Sequence, residues 1–171
     1  MLIQRIDSQS VTDILEERKR IKDDATISDK FIELDLENTD GDEAEAIKLV
    51  SGLHEDKSVY PIIKCKGDIK LPGTLLAIAG KPGFRKANKK TTFELISPNV
   101  KDKDSVNEIL SALSAKPKLL SKELEKKDGR QKLTPKEAVD LGIVDEIETF
   151  HSVFKESKRK KSTKQKEETS A

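Results

Sequence analysis

The chain has 171 residues, of which 34% are hydrophobic and 38% charged, and its net charge is +1. That length and balance suit one domain with a modest core under a densely charged surface, and the near-neutral total argues neither for nor against nucleic acid for the domain as a whole. A single cysteine, Cys65, excludes an intrachain disulfide and a cysteine metal cluster, and with two histidines, His54 and His151, a histidine zinc site has too few ligands.

Residues 2–6 are a short apolar-rich stretch expected to form a strand, and the opening MLIQRID lacks the basic region and long apolar segment of a signal peptide. Ser10 is expected to open a helix with Asp13 as its capping-box acid, and Val11, Ile14, Leu15 and Ile21 recur at helical spacing. Residues 31–36, FIELDL, alternate and put Ile32, Leu34 and Leu36 on one face, as in a strand with its other face exposed or at an edge. NTDGD at 38–42 reads as a turn into a second helix, whose buried stripe is Ala46, Leu49, Val50 and Leu53. Residues 59–65, VYPIIKC, form the next expected strand, with Pro61 at its start or at an edge. In GDIKLPGTLLAIAG, 67–80, the second half is apolar all round, the mark of a helix buried on every side, and KPGFRKANKK after it reads as a basic loop. Phe93, Leu95 and Ile96 are expected in a strand closed by Pro98. Ser105 with Glu108 suggests a further capping box, followed by the stripe Val106, Ile109, Leu110 and Leu113; Pro117 interrupts, and Leu119, Leu120 and Leu124 resume the pattern.

Residues 133–147, LTPKEAVDLGIVDEI, begin as a helix should, with Thr134 as N-cap, Pro135 at the first helical position and Glu137 as capping-box acid. Gly142 suits a helix stop with positive φ, and Ile143, Val144 and Ile147 are expected to enter the core as a strand. Beyond Phe154 the composition becomes charged, so residues 1–154 are expected to be the domain and 155–171 a disordered tail. No stretch approaches an apolar run of about 18 residues, so no membrane span is expected and the cytoplasm is the expected setting. Strands alternating with helices predict an α/β fold with largely parallel strands.

The order of residues in 133–147, [ST]-x-x-E-A-x-x-x-G-[IL]-[VI]-D-x-I, resembles the C-terminal signature of the Clp protease proteolytic subunit (ClpP) and its relatives in the ClpP/crotonase superfamily. The buried-helix segment PGTLLAIAGKPGFR is similar to a family segment of the form MGALLLAAGAKGKR, and the resemblance covers roughly residues 2–147. It implies a spiral of β-β-α units and a serine-type peptidase with a Ser-His-Asp triad and a glycine-rich oxyanion loop. The triad is not kept: the positions matching serine, histidine and aspartate hold Leu71, Ile96 and Arg130, and none of these can transfer a proton or orient a base. The paired glycines of the oxyanion loop are replaced by NTDGD, where Asp40 and Asp42 flank the lone Gly41. The segment between Ile96 and Gly129 is also shorter than the family's handle region, which puts a two-ring assembly in doubt.

Other chemistry-bearing residues have plainer readings. Lys70 and Thr74 flank the lost serine and could form a substitute dyad, but Thr74 also suits a helix N-terminal hydroxyl. Cys65 lies near lysines that could lower its pKa, or is a small core residue. Asp40, Asp42 and Glu43 could bind a cation, or simply favour a helix N-terminus. His54 reads as a surface residue; Arg85, Lys86, Lys89 and Lys90, and residues 158–161, read as solvated loop and tail rather than phosphate contacts. The expected function is a catalytically inactive ClpP-like subunit that assembles with itself or with active ClpP-like chains, with no metal and no cofactor. By resemblance alone an AAA+ unfoldase is a further partner. The alternatives are a peptidase or crotonase-like acyl-processing enzyme with a displaced site, and a nucleic-acid-associated protein working through the basic tail.

Overall fold

A computed structural model describes residues 1–95, 103–125 and 132–148. Strand β1 (Leu2–Ile6) leads into helix α1 (Ser8–Asp23), and β2 (Phe31–Gly41) into α2 (Glu43–His54). Strands β3 (Tyr60–Lys66) and β4 (Asp68–Ile69) precede α3 (Leu71–Ile78), and β5 (Arg85–Asn88) and β6 (Thr92–Glu94) precede α4 (Lys103–Leu113) and α5 (Pro117–Leu124). The chain ends its described course with β7 (Lys132–Leu133), α6 (Pro135–Asp140) and β8 (Glu146–Glu148).

Five strands form one sheet in the order β1-β2-β3-β5-β8, and every neighbouring pair in it is parallel. A small second sheet, β4-β6-β7, joins a parallel pair to an antiparallel one. The fold is therefore α/β with a mostly parallel central sheet. The pattern of side chains explains it. Ile32, Leu34 and Leu36 of β2 are buried, while Glu33, Asp35 and Glu37 between them are half-exposed. The apolar stripes of the first two helices, Val11, Ile14 and Ile21 and then Ala46, Leu49, Val50 and Leu53, join the same core. Every residue of α3 is buried, as its all-round apolar sequence predicts.

Several boundaries differ from the sequence reading. The first helix is capped by Asp7, not Ser10: the Asp7 carboxylate accepts the Ser10 N–H at 2.9 Å, and the Ser10 hydroxyl oxygen accepts the Asp7 N–H at 2.9 Å. Asp13 accepts instead from the Gln9 amide at 2.8 Å. Aspartate caps as well as serine does, so the box formed one turn earlier. NTDGD is mostly the continuation of β2, with Asp42 as N-cap of α2. The strand absorbs a positive φ of 47° at Asn38, and its pairing with β1 slips between Ile3 and Arg5. β2 lies between β1 and β3, so it is no edge strand. The basic loop contains β5, whose Arg85 and Ala87 point inward and are fully buried; an arginine on the core face hid the alternation. β4 and β7, two residues each, are too short to leave a periodic signal.

Helix α4 begins at Lys103, ahead of Ser105, while Ile96 and Pro98 lie outside the described residues. Leu120 and Leu124 are buried, but Leu119 is 50% exposed. The Thr134–Glu137 capping box forms, with Glu137 accepting the Thr134 N–H at 2.7 Å, and Gly142 has φ +71°. Ile143 and Val144 are buried in the turn rather than in a strand; β8 starts at Glu146, and Ile147 on this edge strand is 39% exposed.

Candidate functional site

Of the residues singled out from the sequence, Lys70, Leu71 and Thr74 lie at the start of α3, where the small sheet meets the end of β2. Pro72 suits the first turn of α3, and Lys70, in an extended conformation, stands at its N-cap position without a side-chain cap bond. Leu71 is the first helical residue and has no exposed surface. Its side chain is part of the core, so nothing at this position can reach a substrate. Ile96 and Arg130 lie outside the described residues.

The backbone of the would-be oxyanion loop is engaged. The Gly41 N–H donates to the Asp40 carboxylate at 2.8 Å, and the Asp42 N–H donates to the Ile6 carbonyl at 2.9 Å. The Thr39 carbonyl accepts the Lys70 N–H at 2.8 Å, and the buried Thr39 hydroxyl donates to the Ile3 carbonyl at 2.6 Å. An oxyanion hole needs N–H groups aimed at open space, and here the Gly41 N–H is held by its neighbour's carboxylate, the Asp42 N–H by β1, and the Lys70 N–H by β2. Asp42 also accepts the Glu45 N–H at 3.0 Å as the cap of α2. Burial, and then the negative charges of Asp42, Glu94 and Asp40, raise the Glu43 carboxyl above its ordinary value. Among the described residues no cluster of three or more His, Cys, Asp or Glu side chains is arranged to hold a metal.

The Lys70 ammonium and the Thr74 hydroxyl turn to different partners, although that hydroxyl also lies 3.3 Å from the Lys70 carbonyl oxygen. Lys70 Nζ lies 3.0 Å from Asp68 and 3.9 Å from Glu94. The buried Thr74 hydroxyl donates to the Glu94 carbonyl at 2.7 Å. Asp68, Lys70, Glu94 and Lys132 line a cavity of about 200 Å³, and three of the four come from the three strands of the small sheet. Burial raises the Asp68 carboxyl, but hydrogen bonds from Lys70, Thr92 and Lys132 outweigh it and leave the group below its ordinary value. The cavity is thus lined by a connected set of ion pairs. The sequence did not single out Asp68, Glu94 and Lys132, because nothing in their local spacing shows that β4, β6 and β7 lie side by side.

Cys65 is fully buried on β3, and burial pushes its thiol well above the ordinary range, the reverse of what nearby lysines suggested. The exposed His54 has Nε2 3.1 Å from the Ala79 carbonyl oxygen. Of the basic run, Lys86 pairs with Glu148 at 2.9 Å, and residues 158–161 lie outside the described residues.

Arg85 is the larger departure from the sequence reading. Its side chain has no exposed surface, and its Nε and Nη2 donate to Asp145 at 2.9 and 2.7 Å. Its Nη1 donates to the carbonyls of Ile78 and Leu113 at 3.2 and 3.1 Å. Asp145 also accepts the Gly83 N–H at 2.7 Å. This pair joins the end of the PGTLLAIAGKPGFR segment to the aspartate of the LGIVDEI segment, so the two stretches most distinctive in the sequence meet in space. The aspartate's fixed place in that signature was the available signal. No helix among the described residues is long and apolar enough to cross a membrane. No protein-family model matches the chain, and no curated protein matches it either.

Proposed function

We propose that the chain is a catalytically inactive relative of the Clp protease proteolytic subunit that acts by assembly, either as a scaffold or as a regulatory subunit beside active ClpP-like chains. The observation that carries this reading is Leu71. At the position where the resemblance expects a nucleophile, a fully buried leucine starts the buried helix. The engaged N–H groups of Gly41 and Asp42 point the same way. The order of elements is also compatible with a spiral of β-β-α units. β3 and β4 precede α3, β5 and β6 precede α4, and in each case the first strand joins the large sheet and the second the small one.

Two measurements test the reading. A fluorophosphonate probe should not label the folded chain, because the buried Leu71 leaves no hydroxyl where the resemblance expects the nucleophile. Stoichiometric labelling at Thr74 or at any serine overturns the inactive assignment. Native mass spectrometry of the chain, alone and mixed with active ClpP-like subunits, should show an oligomer or a mixed complex. A chain that stays monomeric in both overturns the assembly role.

A further inference from the structure

The helices bury one face of β1, β2 and β3, and the other face of these strands carries side chains that are half-exposed or exposed. Across β2 and β3 the outward residues stand side by side as Phe31 with Tyr60, Glu33 with Ile62, Asp35 with Lys64 and Glu37 with Lys66. One strand therefore presents an aromatic ring followed by acids, and its neighbour presents an aromatic ring followed by lysines at the same heights. Phe31 is 41% exposed, its ring centroid lies 6.0 Å from that of Tyr60, and the Phe84 ring, 39% exposed, extends the aromatic end at 5.8 Å from Tyr60.

We infer that a second copy of this chain packs face to face on this sheet, with its β2 over the first copy's β3 and its β3 over the first copy's β2. A two-fold axis running parallel to the strands, between β2 and β3, exchanges the two strands and leaves each residue's height along them unchanged. Phe31 then lies over Tyr60 of the other copy, Asp35 over Lys64 and Glu37 over Lys66, and each contact is made twice, as an isologous interface requires. Facing sheets pack about 10 Å apart, a gap that side chains of these lengths fill. No like charges from β2 and β3 are superposed. Asp35, which makes no ion pair among the described residues, gains a cation above it. Nucleic acid fits this face poorly, because β2 and β8 bring acids to both sides of the lysines.

The footprint sets the strength. About this axis β1 lies over β5 and β8 has no counterpart, so four strands about 4.8 Å apart and about 13–23 Å long give roughly 350 Å² per copy and roughly 700 Å² in all, the size of a weak, transient interface. The dimer is therefore concentration-dependent and, with charge pairs at its centre, sensitive to salt. This inference deepens the assembly reading by naming one partner and one surface, and it asks nothing of the lost catalytic positions.

The test uses the full chain and its own fluorophore, since Tyr60 is the only tyrosine and there is no tryptophan. Sedimentation equilibrium should show a monomer–dimer equilibrium that weakens at high salt. Over the same concentration range, acrylamide quenching of Tyr60 should fall as the dimer forms. Asp35→Lys with Glu37→Lys, and separately Lys64→Glu with Lys66→Glu, should each weaken the dimer at least about tenfold, and an equimolar mixture of the two variants should pair again. Should the variants fold poorly, the quenching measurement on the unaltered chain still decides. A dimer that leaves Tyr60 quenching unchanged overturns this interface but leaves self-assembly standing. A chain that sediments only as a monomer overturns it as well, while mixing with active ClpP-like subunits is read separately by native mass.

Discussion

Replacing Leu71 by serine would set a hydroxyl in the first turn of α3, where the side chain has no exposed surface. A truncation of that size costs about 2–5 kcal/mol before any unmet hydrogen bond is counted. We therefore expect Leu71→Ser, Ile96→His and Arg130→Asp, made together, to give no peptidase activity. The missing oxyanion donors alone are worth about 10²–10³ in rate, and the N–H groups of Gly41 and Asp42 already have partners. Clear hydrolysis of a fluorogenic peptide by the folded triple variant would refute this. The buried pair gives a second residue-scale prediction. Asp145→Ala leaves the Arg85 guanidinium buried without its carboxylate, a loss of about 3–5 kcal/mol. Burial pushes the Asp145 carboxyl up, but the hydrogen bonds and charge of Arg85 outweigh it and hold the group below its ordinary 3.8. A depressed carboxyl takes up its proton more readily in the unfolded chain. The pair's contribution is thus complete above 3.8 and fades as the pH falls further. Urea midpoints across an acid series should fall less steeply for Asp145→Asn than for the parent; equal slopes would show that the carboxylate adds nothing.

Elements were legible where burial repeats and hidden where function-like residues serve structure. The stripes of α1 and α2, the all-round burial of α3 and the capping box of α6 could be read directly, because each is a local rule of spacing or end chemistry. The second half of β2 could not. NTDGD has turn composition, yet Thr39 buries its hydroxyl on Ile3 and Gly41 lets the strand run close against β1. A Cβ on Gly41 would stand 2.2 Å from the Ile6 carbonyl oxygen, with φ at +146°. We expect Gly41→Ala to destabilise by more than about 1 kcal/mol, since both the backbone conformation and the close approach exclude it. A thermal melt matching the parent would mean that β1 can move away. β5 was hidden for another reason: its inward arginine is supported by an aspartate far along the chain, and no local pattern reports a distant partner. The triad positions were read from resemblance alone, and only Leu71 of the three falls among the described residues.

For the whole molecule, the sheet's connectivity governs the order in which the structure can be completed. Parallel neighbours need crossover connections, so pairing must wait for distant segments, and such topologies fold slowly. β8 closes the sheet on β5 across about 60 residues, and Asp145 reaches Arg85 over a separation of 60. During synthesis the N-terminal segments emerge first, at roughly 5–20 residues per second. For several seconds, then, the growing polypeptide holds all of α3 and β5 while the arginine's counter-charge has yet to be made. A chain stopped after residue 140 should therefore leave no protease-resistant core and bind a chaperone trap, whereas the full-length chain should keep a resistant core and escape the trap. A stable, protease-resistant truncated chain would show that the arginine finds another partner. The buried pair thus acts as a check on completeness: the core can close only after nearly the whole domain has been translated.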